Sequence, residues 1–250
     1  MSRNIFLKIE YDGRMYHGWQ IQPGVPTIQG EIQKAIKKTL KRDVKLNGSG
    51  RTDRGVHAYG QTASFKLEHG IPTLKIPFVL NNSLPEDIRI LSATDADEDF
   101  HARFSAVGKK YIYKMRENVD AFSCRYYHKI PAKLDIKAMR DAAKQIVGTH
   151  DFKCFQASGG EEKESTVREV FSCDLEETSG QLQLCITGNG FLYNMVRIIT
   201  GTLVDVGTGK IRSEEIVNII KSQDRSNAGH TAPPCGLYLA EVYYGDCNNE

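Results

Sequence analysis

The sequence predicts an α+β fold with a mainly antiparallel sheet, and three observations carry that reading. Short strands of alternating polarity recur along the chain, and helices with a single apolar stripe fall between them. The order strand–helix–strand–strand is also met twice, the second time from residue 108 onward.

Residues 5–11 (Ile-Phe-Leu-Lys-Ile-Glu-Tyr) alternate as a strand and stop at Asp12-Gly13. Thr27, after Pro26, is suited to cap a helix whose apolar positions Ile28, Ile32, Ala35, Ile36 and Leu40 recur at steps of three and four. Residues 44–48 and 58–67 read as strands flanking a polar loop, residues 72–82 as a helix and 88–93 as a strand. In the second series, strand-like residues 110–115 precede a helix over 135–147 with Ile136, Met139, Ala143, Ile146 and Val147 on its apolar face. Strands near 167–177 and 181–188 are joined at Ser179-Gly180, a hairpin turn signal. A helix over 191–206 buries Leu192, Met195, Val196, Ile199 and Leu203, with Asn194, Arg197, Gly201 and Asp205 along a separate line. A last helix begins near Ser213, with Glu214 and Glu215 at the positive end of its dipole, and a last strand runs over 237–244. Gln156–Glu164, glycine-rich and charged, reads as a mobile surface loop. The repeat divides the chain into an N-terminal half, 1–105, and a C-terminal half, 106–250, with a cleft between halves as the natural place for a site.

Composition excludes several classes. No apolar run approaches the length that crosses a bilayer, so no membrane partner is expected. Met1-Ser2-Arg3-Asn4 leads into a strand without an apolar secretory segment, which points to the cytoplasm. The six cysteines are scattered and the seven histidines show no ligand spacing. Reduced thiols, and neither a zinc site nor metal catalysis, are expected. A net charge of only +2 does not mark a nucleic-acid binder, but Lys34, Lys37, Lys38, Lys41, Arg42 and Lys45 crowd one segment. Alone, such a cluster is a solvated helix face.

The loop Gly50-Arg51-Thr52-Asp53-Arg54-Gly55-Val56-His57-Ala58 carries the chemistry. Glycines on either side leave its backbone free to turn tightly. An aspartate beside a glycine is ordinarily a turn residue. Here two arginines accompany it, and a neighbouring guanidinium keeps a carboxylate ionised, as covalent carboxylate catalysis requires.

The chain resembles the TruA family of tRNA pseudouridine synthases over nearly its whole length. The resemblance lies in Tyr11-Asp12-Gly13-Arg14-Met15-Tyr16-His17-Gly18-Trp19-Gln20, in the Asp53 loop, and in Phe100-His101-Ala102-Arg103-Phe104 continuing to Lys110-Tyr111-x-Tyr113. Gly148-x-His150-Asp151-Phe152, Phe191-Leu192-Tyr193-x-Met195-Val196-Arg197 and Ala232-Pro233-Pro234-x-Gly236-Leu237 follow in family order. The resemblance implies two ferredoxin-like halves with helices on one side of the sheet and the active-site cleft between them. It implies Asp53 as the nucleophile, Arg197 as its ion-pair partner, Tyr111 stacked on the target base and Leu237 packed beside the uracil. Arg51 and Arg54 are then contacts to RNA, with the lysine cluster as a phosphate track. The implied substrate is the tRNA anticodon stem-loop, modified at about positions 38, 39 and 40 by a homodimer needing no cofactor, metal or nucleotide. His57 is left a structural part, and Trp19 and Tyr16 belong by pattern to a core. An RNA-binding module and a glycoside hydrolase using Asp12 or Asp151 as a second acid are weaker readings, and ribosomal RNA is an alternative substrate.

Overall fold

A computed structural model describes residues 2–68, 70–131, 133–160, 164–178 and 180–245. The chain forms two compact units: residues up to Val107 together with those from Tyr238 onward, and Gly108–Leu237. The first unit thus takes residues from both ends of the chain, which a linear split near residue 105 does not anticipate.

In the first unit, β1 (Ser2–Tyr11) is followed by α1 (Ile28–Leu40), β2 (Asn47–Gly48), β3 (His57–Glu68), α2 (Ile76–Asn81) and β4 (Ile88–Ala96). The strand order is β4-β1-β3-β2, each neighbour antiparallel, which is the pattern of a ferredoxin-like half. β1 is the inner strand because Ile5, Leu7, Ile9 and Tyr11 alternate into the core. The expected cap of α1 is present, with the Thr27 side chain accepting from the Gly30 amide. Ile28, Ile32, Ala35 and Ile36 are buried beneath it, whereas Leu40, the last residue of the helix, is half-exposed. The helix expected over 72–82 divides into a short 3-10 turn, Thr73–Lys75, and α2.

β3 is buried along both faces and so carries polar residues that need partners. Ser49 Oγ donates to Gln61 Oε1 at 2.6 Å, Gln61 Nε2 donates to the Gly50 carbonyl at 3.2 Å, and the Thr62 and Tyr244 hydroxyls lie 2.5 Å apart. The two bonds of Gln61 tether the loop that enters the Asp53 turn to the strand that leaves it.

In the second unit, β5 (Gly108–Arg116), β6 (His128–Lys129), α3 (Ile136–Lys144), β7 (Gly148–Asp151), β8 (Val167–Thr178), β9 (Gln181–Gly188), α4 (Met195–Gly207) and α5 (Ile216–Ser222) follow in order. The antiparallel order is β5-β9-β8-β7, and β6 pairs in parallel with β5. β8 and β9 form the expected hairpin; Gly180 takes a left-handed conformation there, and Ser179 lies outside the described residues. Asp135 caps α3 by accepting from the Ala138 amide. That helix stops at Lys144, so Val147, expected on its apolar face, is 39% exposed. The expected loop over 156–164 is described only in part, residues 161–163 lying outside the described set.

α4 starts four residues later than the apolar pattern predicts, because Asn194 is left-handed (φ 60°) and ends the irregular stretch before it. Every residue of α4 except Arg197 is buried, so it is a core helix and not an amphipathic one. The last strand, β10 (Leu237–Tyr243), runs parallel to β3 with Tyr238 opposite His57. Among the described residues no helix is long and apolar enough to cross a membrane, and Cys124, Cys154, Cys173, Cys185 and Cys235 are free thiols.

Candidate active site

Asp53 sits on a tight turn between β2 and β3, closed by a hydrogen bond from the Val56 amide to the Asp53 carbonyl at 3.1 Å. Of the two flanking glycines, Gly55 takes the left-handed conformation (φ 79°) that the turn demands. The backbone of the turn is gripped by the segment after β1. The Trp19 amide donates to the Thr52 carbonyl at 3.1 Å, and the Gly55 amide to the Tyr16 carbonyl at 3.4 Å. Within the core, the Tyr11 hydroxyl meets Thr52 Oγ1 at 2.8 Å. Thr52 is therefore held from both its main chain and its side chain, and the half-buried Asp53 side chain follows a fixed backbone. Burial raises the Tyr11 hydroxyl pKa far above its ordinary value, so this contact is neutral at every pH the protein meets.

His57 is part of the same scaffold. Its ring is 2% exposed and stacks on Tyr238 with centroids 4.6 Å apart. The Gly13 amide donates to Nδ1 at 3.3 Å, and Asp12 Oδ1 lies 3.2 Å from the same nitrogen. The Gly13 bond requires a lone pair on Nδ1, while the Asp12 contact becomes a hydrogen bond only when Nδ1 carries a proton. Arg14 holds the other side of this carboxylate, its guanidinium reaching Asp12 Oδ2 at 2.7 Å. This pairing was not legible in the sequence, where Asp12 read as a strand stop. Tyr16 and Trp19 are core residues as expected, 5% and 1% exposed, and the Tyr16 hydroxyl donates to Asp87 at 2.6 Å. Arg51 and Arg54 are exposed on the turn, with Arg51 Nε donating to Gln20 Oε1 at 3.2 Å.

Tyr111, Arg197 and Leu237 belong to the second unit. Tyr111 lies on β5 opposite Ile186 and is 9% exposed, its ring edge-on to Phe191 at 5.3 Å. Leu237, 5% exposed, opens β10. Arg197 occupies the first turn of α4, where Nη1 donates to Asn194 Oδ1 at 2.6 Å and Nε to the Ala232 carbonyl at 2.7 Å. The Ala232 amide returns a bond to the Arg197 carbonyl at 3.1 Å.

The polar line along α4 acquires its meaning here, because residues 229–232 lie against it. The Gly229 amide donates to Thr202 Oγ1 at 2.8 Å, and Asp205 Oδ2 accepts from the His230 ring at 3.2 Å. The Tyr113 hydroxyl then donates to the Pro233 carbonyl at 2.7 Å. A run of prolines and small residues is thereby pinned on its approach to Leu237. Sequence reasoning missed Thr202, Asp205, His230 and Tyr113 as parts of this support. The only signal for it was the spacing of polar residues on an otherwise apolar helix.

This support titrates. His128, between Tyr113 (5.8 Å) and His230 (6.3 Å), has its pKa pushed down to about 4, first by burial and then by His230. In the unfolded chain it titrates near 6.5, so the unfolded state binds the proton first. Stability is therefore expected to fall as pH drops from about 6.5 to about 4. Asp205 acts in the same direction but at lower pH: hydrogen bonds from His230 and Lys210 outweigh its burial and hold its pKa below the usual value of 3.8, so the stability it contributes is lost at the acid end of this window and below it. Melting temperatures across this window should decline in the wild type and decline less in His128→Phe; equal slopes would show that other groups govern acid sensitivity.

Among the described residues no cluster of three histidine, cysteine, aspartate or glutamate side chains is placed to hold a metal ion. The arrangement offers a carboxylate on a rigid, arginine-flanked turn in one unit. In the other it offers an aromatic strand residue and a guanidinium at a helix start. Residues 8–105 and 142–245 match the family described as tRNA pseudouridine synthase. The chain is 49% identical over 244 residues to tRNA pseudouridine synthase A of Caldicellulosiruptor saccharolyticus, covering 97% of this chain and 100% of that protein. It is 47% identical, with the same coverage, to tRNA pseudouridine synthase A of a Thermoanaerobacter species. At that identity and coverage, the chain belongs to the family of tRNA pseudouridine synthases, isomerases that convert uridine to pseudouridine.

Proposed function

We propose that the protein isomerises uridine to pseudouridine at about positions 38, 39 and 40 of the tRNA anticodon stem-loop, with Asp53 as the nucleophile. The observation that carries the reading is the Asp53 turn, whose main chain is clamped by Trp19 and Tyr16 while Arg51 and Arg54 stand exposed beside the carboxylate. A nucleophile must be aimed without spending binding energy on ordering it, and a clamped turn does that. Attack at C6 of the base or at C1′ of the ribose leads to the same exchange. The N1–C1′ bond breaks, the uracil rotates while held, and C5 bonds to C1′. N1 ends with a proton and C5 loses one, so atoms balance and neither an oxidant nor an energy source is needed.

Arg197 in this reading pairs with the Asp53 carboxylate and keeps it charged. Tyr111 stacks on the everted base, Leu237 packs beside the uracil, and Arg51 and Arg54 contact the RNA. Exposed cations of α1 and the segment after it, including Lys38, Lys41, Arg42 and Lys45, give phosphate contacts that orient without reading sequence. The working form is a cytoplasmic homodimer. The test is to incubate the purified protein with a tRNA transcript bearing uridines at 38, 39 and 40, and separately with ribosomal RNA, and to map pseudouridine in each. Product confined to those positions is expected; product only elsewhere in the tRNA, or only in ribosomal RNA, would overturn the assignment of substrate.

A further inference from the structure

The segment after β4 is anchored with unusual care for a surface loop. Asn4 Nδ2 donates to the carbonyls of Asp97 and Phe100, both at 2.8 Å. Phe100 packs edge-on to Phe6 at 5.5 Å and against Tyr244 at 5.1 Å. Ala102 is fully buried, with its amide donating to Ser64 Oγ at 3.1 Å and its carbonyl accepting from the Tyr244 hydroxyl at 2.7 Å. The Ser105 amide donates to the His101 carbonyl at 2.9 Å, and the His101 amide to Ser105 Oγ at 3.1 Å, closing a rigid turn. At the tip of this turn Phe104 is 77% exposed. His101 flanks its ring at 4.5 Å, and the Arg103 guanidinium lies 5.7 Å from its centroid.

The turn is thus fixed by buried anchors while an aromatic ring, which water disfavours, stands exposed on it. We infer that Phe104 is a stacking platform for an unpaired base of the substrate RNA, with Arg103 bonding the adjoining phosphate. This inference rests on the RNA-modifying reading above and adds a binding site to it, apart from Asp53. A flat ring beside a guanidinium and an imidazole matches a single-stranded nucleotide, whose base stacks while its phosphate meets the cation. Asp97, Glu98 and Asp99, just upstream and largely exposed, repel a phosphate backbone running along the segment, so the contact is local to one nucleotide.

The test is anisotropy of a labelled tRNA transcript titrated with wild type, Phe104→Ala, Phe104→Trp and Arg103→Ala over a range of salt. Phe104→Ala should weaken binding roughly tenfold with its salt slope unchanged, while Phe104→Trp stays near wild type. Arg103→Ala should lower the salt slope by about one. Wild-type affinity in Phe104→Ala overturns the inference, as does equal weakening in the Ala and Trp variants. A Phe104→Ala protein that keeps its affinity but sediments as a smaller species assigns the ring to a second copy of the chain, and also overturns it. Failure of the underlying reading is distinct: the wild type would then form no pseudouridine in the transcript, whatever its affinity.

Discussion

Asp53→Asn is expected to lower pseudouridine formation in a tRNA transcript by at least about 1,000-fold while leaving the fold and RNA binding in place. Asparagine keeps the size of the side chain and one acceptor oxygen, but it lacks the charge and nucleophilicity of a carboxylate. The bonds that shape the turn run through main chain and through Thr52, from the Val56, Trp19 and Gly55 amides and the Tyr11 hydroxyl, and the substitution touches none of them. Circular dichroism and a melting curve close to wild type are therefore expected alongside the lost turnover. Turnover within tenfold of wild type would remove Asp53 from the chemistry. A collapsed melting curve would instead make it a structural aspartate of the turn.

The second large effect is expected at Gly201. In an isolated helix, replacing glycine by alanine stabilises by about 1 kcal/mol. In α4 the added Cβ would lie 1.8 Å from the His230 carbonyl oxygen, with backbone on both sides of the contact. Neither the core helix nor the residues packed on it has a flexible side chain to yield. Segment 229–232 must lift, and with it the Arg197–Ala232 and Thr202–Gly229 bonds. Gly201→Ala is therefore expected to destabilise by about 2 kcal/mol, the usual cost of overpacking, in denaturant unfolding. Turnover should fall further than stability, because the displaced residues lead directly to Leu237. A variant about 1 kcal/mol more stable than wild type would show that segment 229–232 is not seated on the helix as described.

The two sites differ in how far the letters alone reveal them. Asp53 stands out because its neighbours are informative types at adjacent positions: arginines, a threonine and a glycine that must turn. Its clamp is less visible. Tyr16 and Trp19 are read as core, and they are core, as is Tyr11 at the end of its strand; that the same segment also grips Thr52 and Gly55 depends on a hydrogen-bond pattern between residues some forty positions apart. Gly201 looks like a helix weakness until the chain that crosses it is known. Phe104 looks like part of an apolar motif, and its exposure follows from its neighbours Phe100 and Ala102 taking the buried places.

Local pattern determined the α+β class, the helix cap at Thr27, and the strands that alternate into a core, because each is set by residues within a few positions of one another. It misplaced the start of α4, where a left-handed Asn194 interrupts an apolar pattern that runs straight through it. It likewise extended α3 to Val147, since an apolar residue past a helix end looks the same in sequence as one within it. Only the tertiary structure decided that β10 returns to pair with β3, that α4 is buried all round, and that residues 229–232 seal its polar line. Those facts rest on close approaches between distant segments, and a linear sequence carries no distance between residues that meet only when the chain is folded.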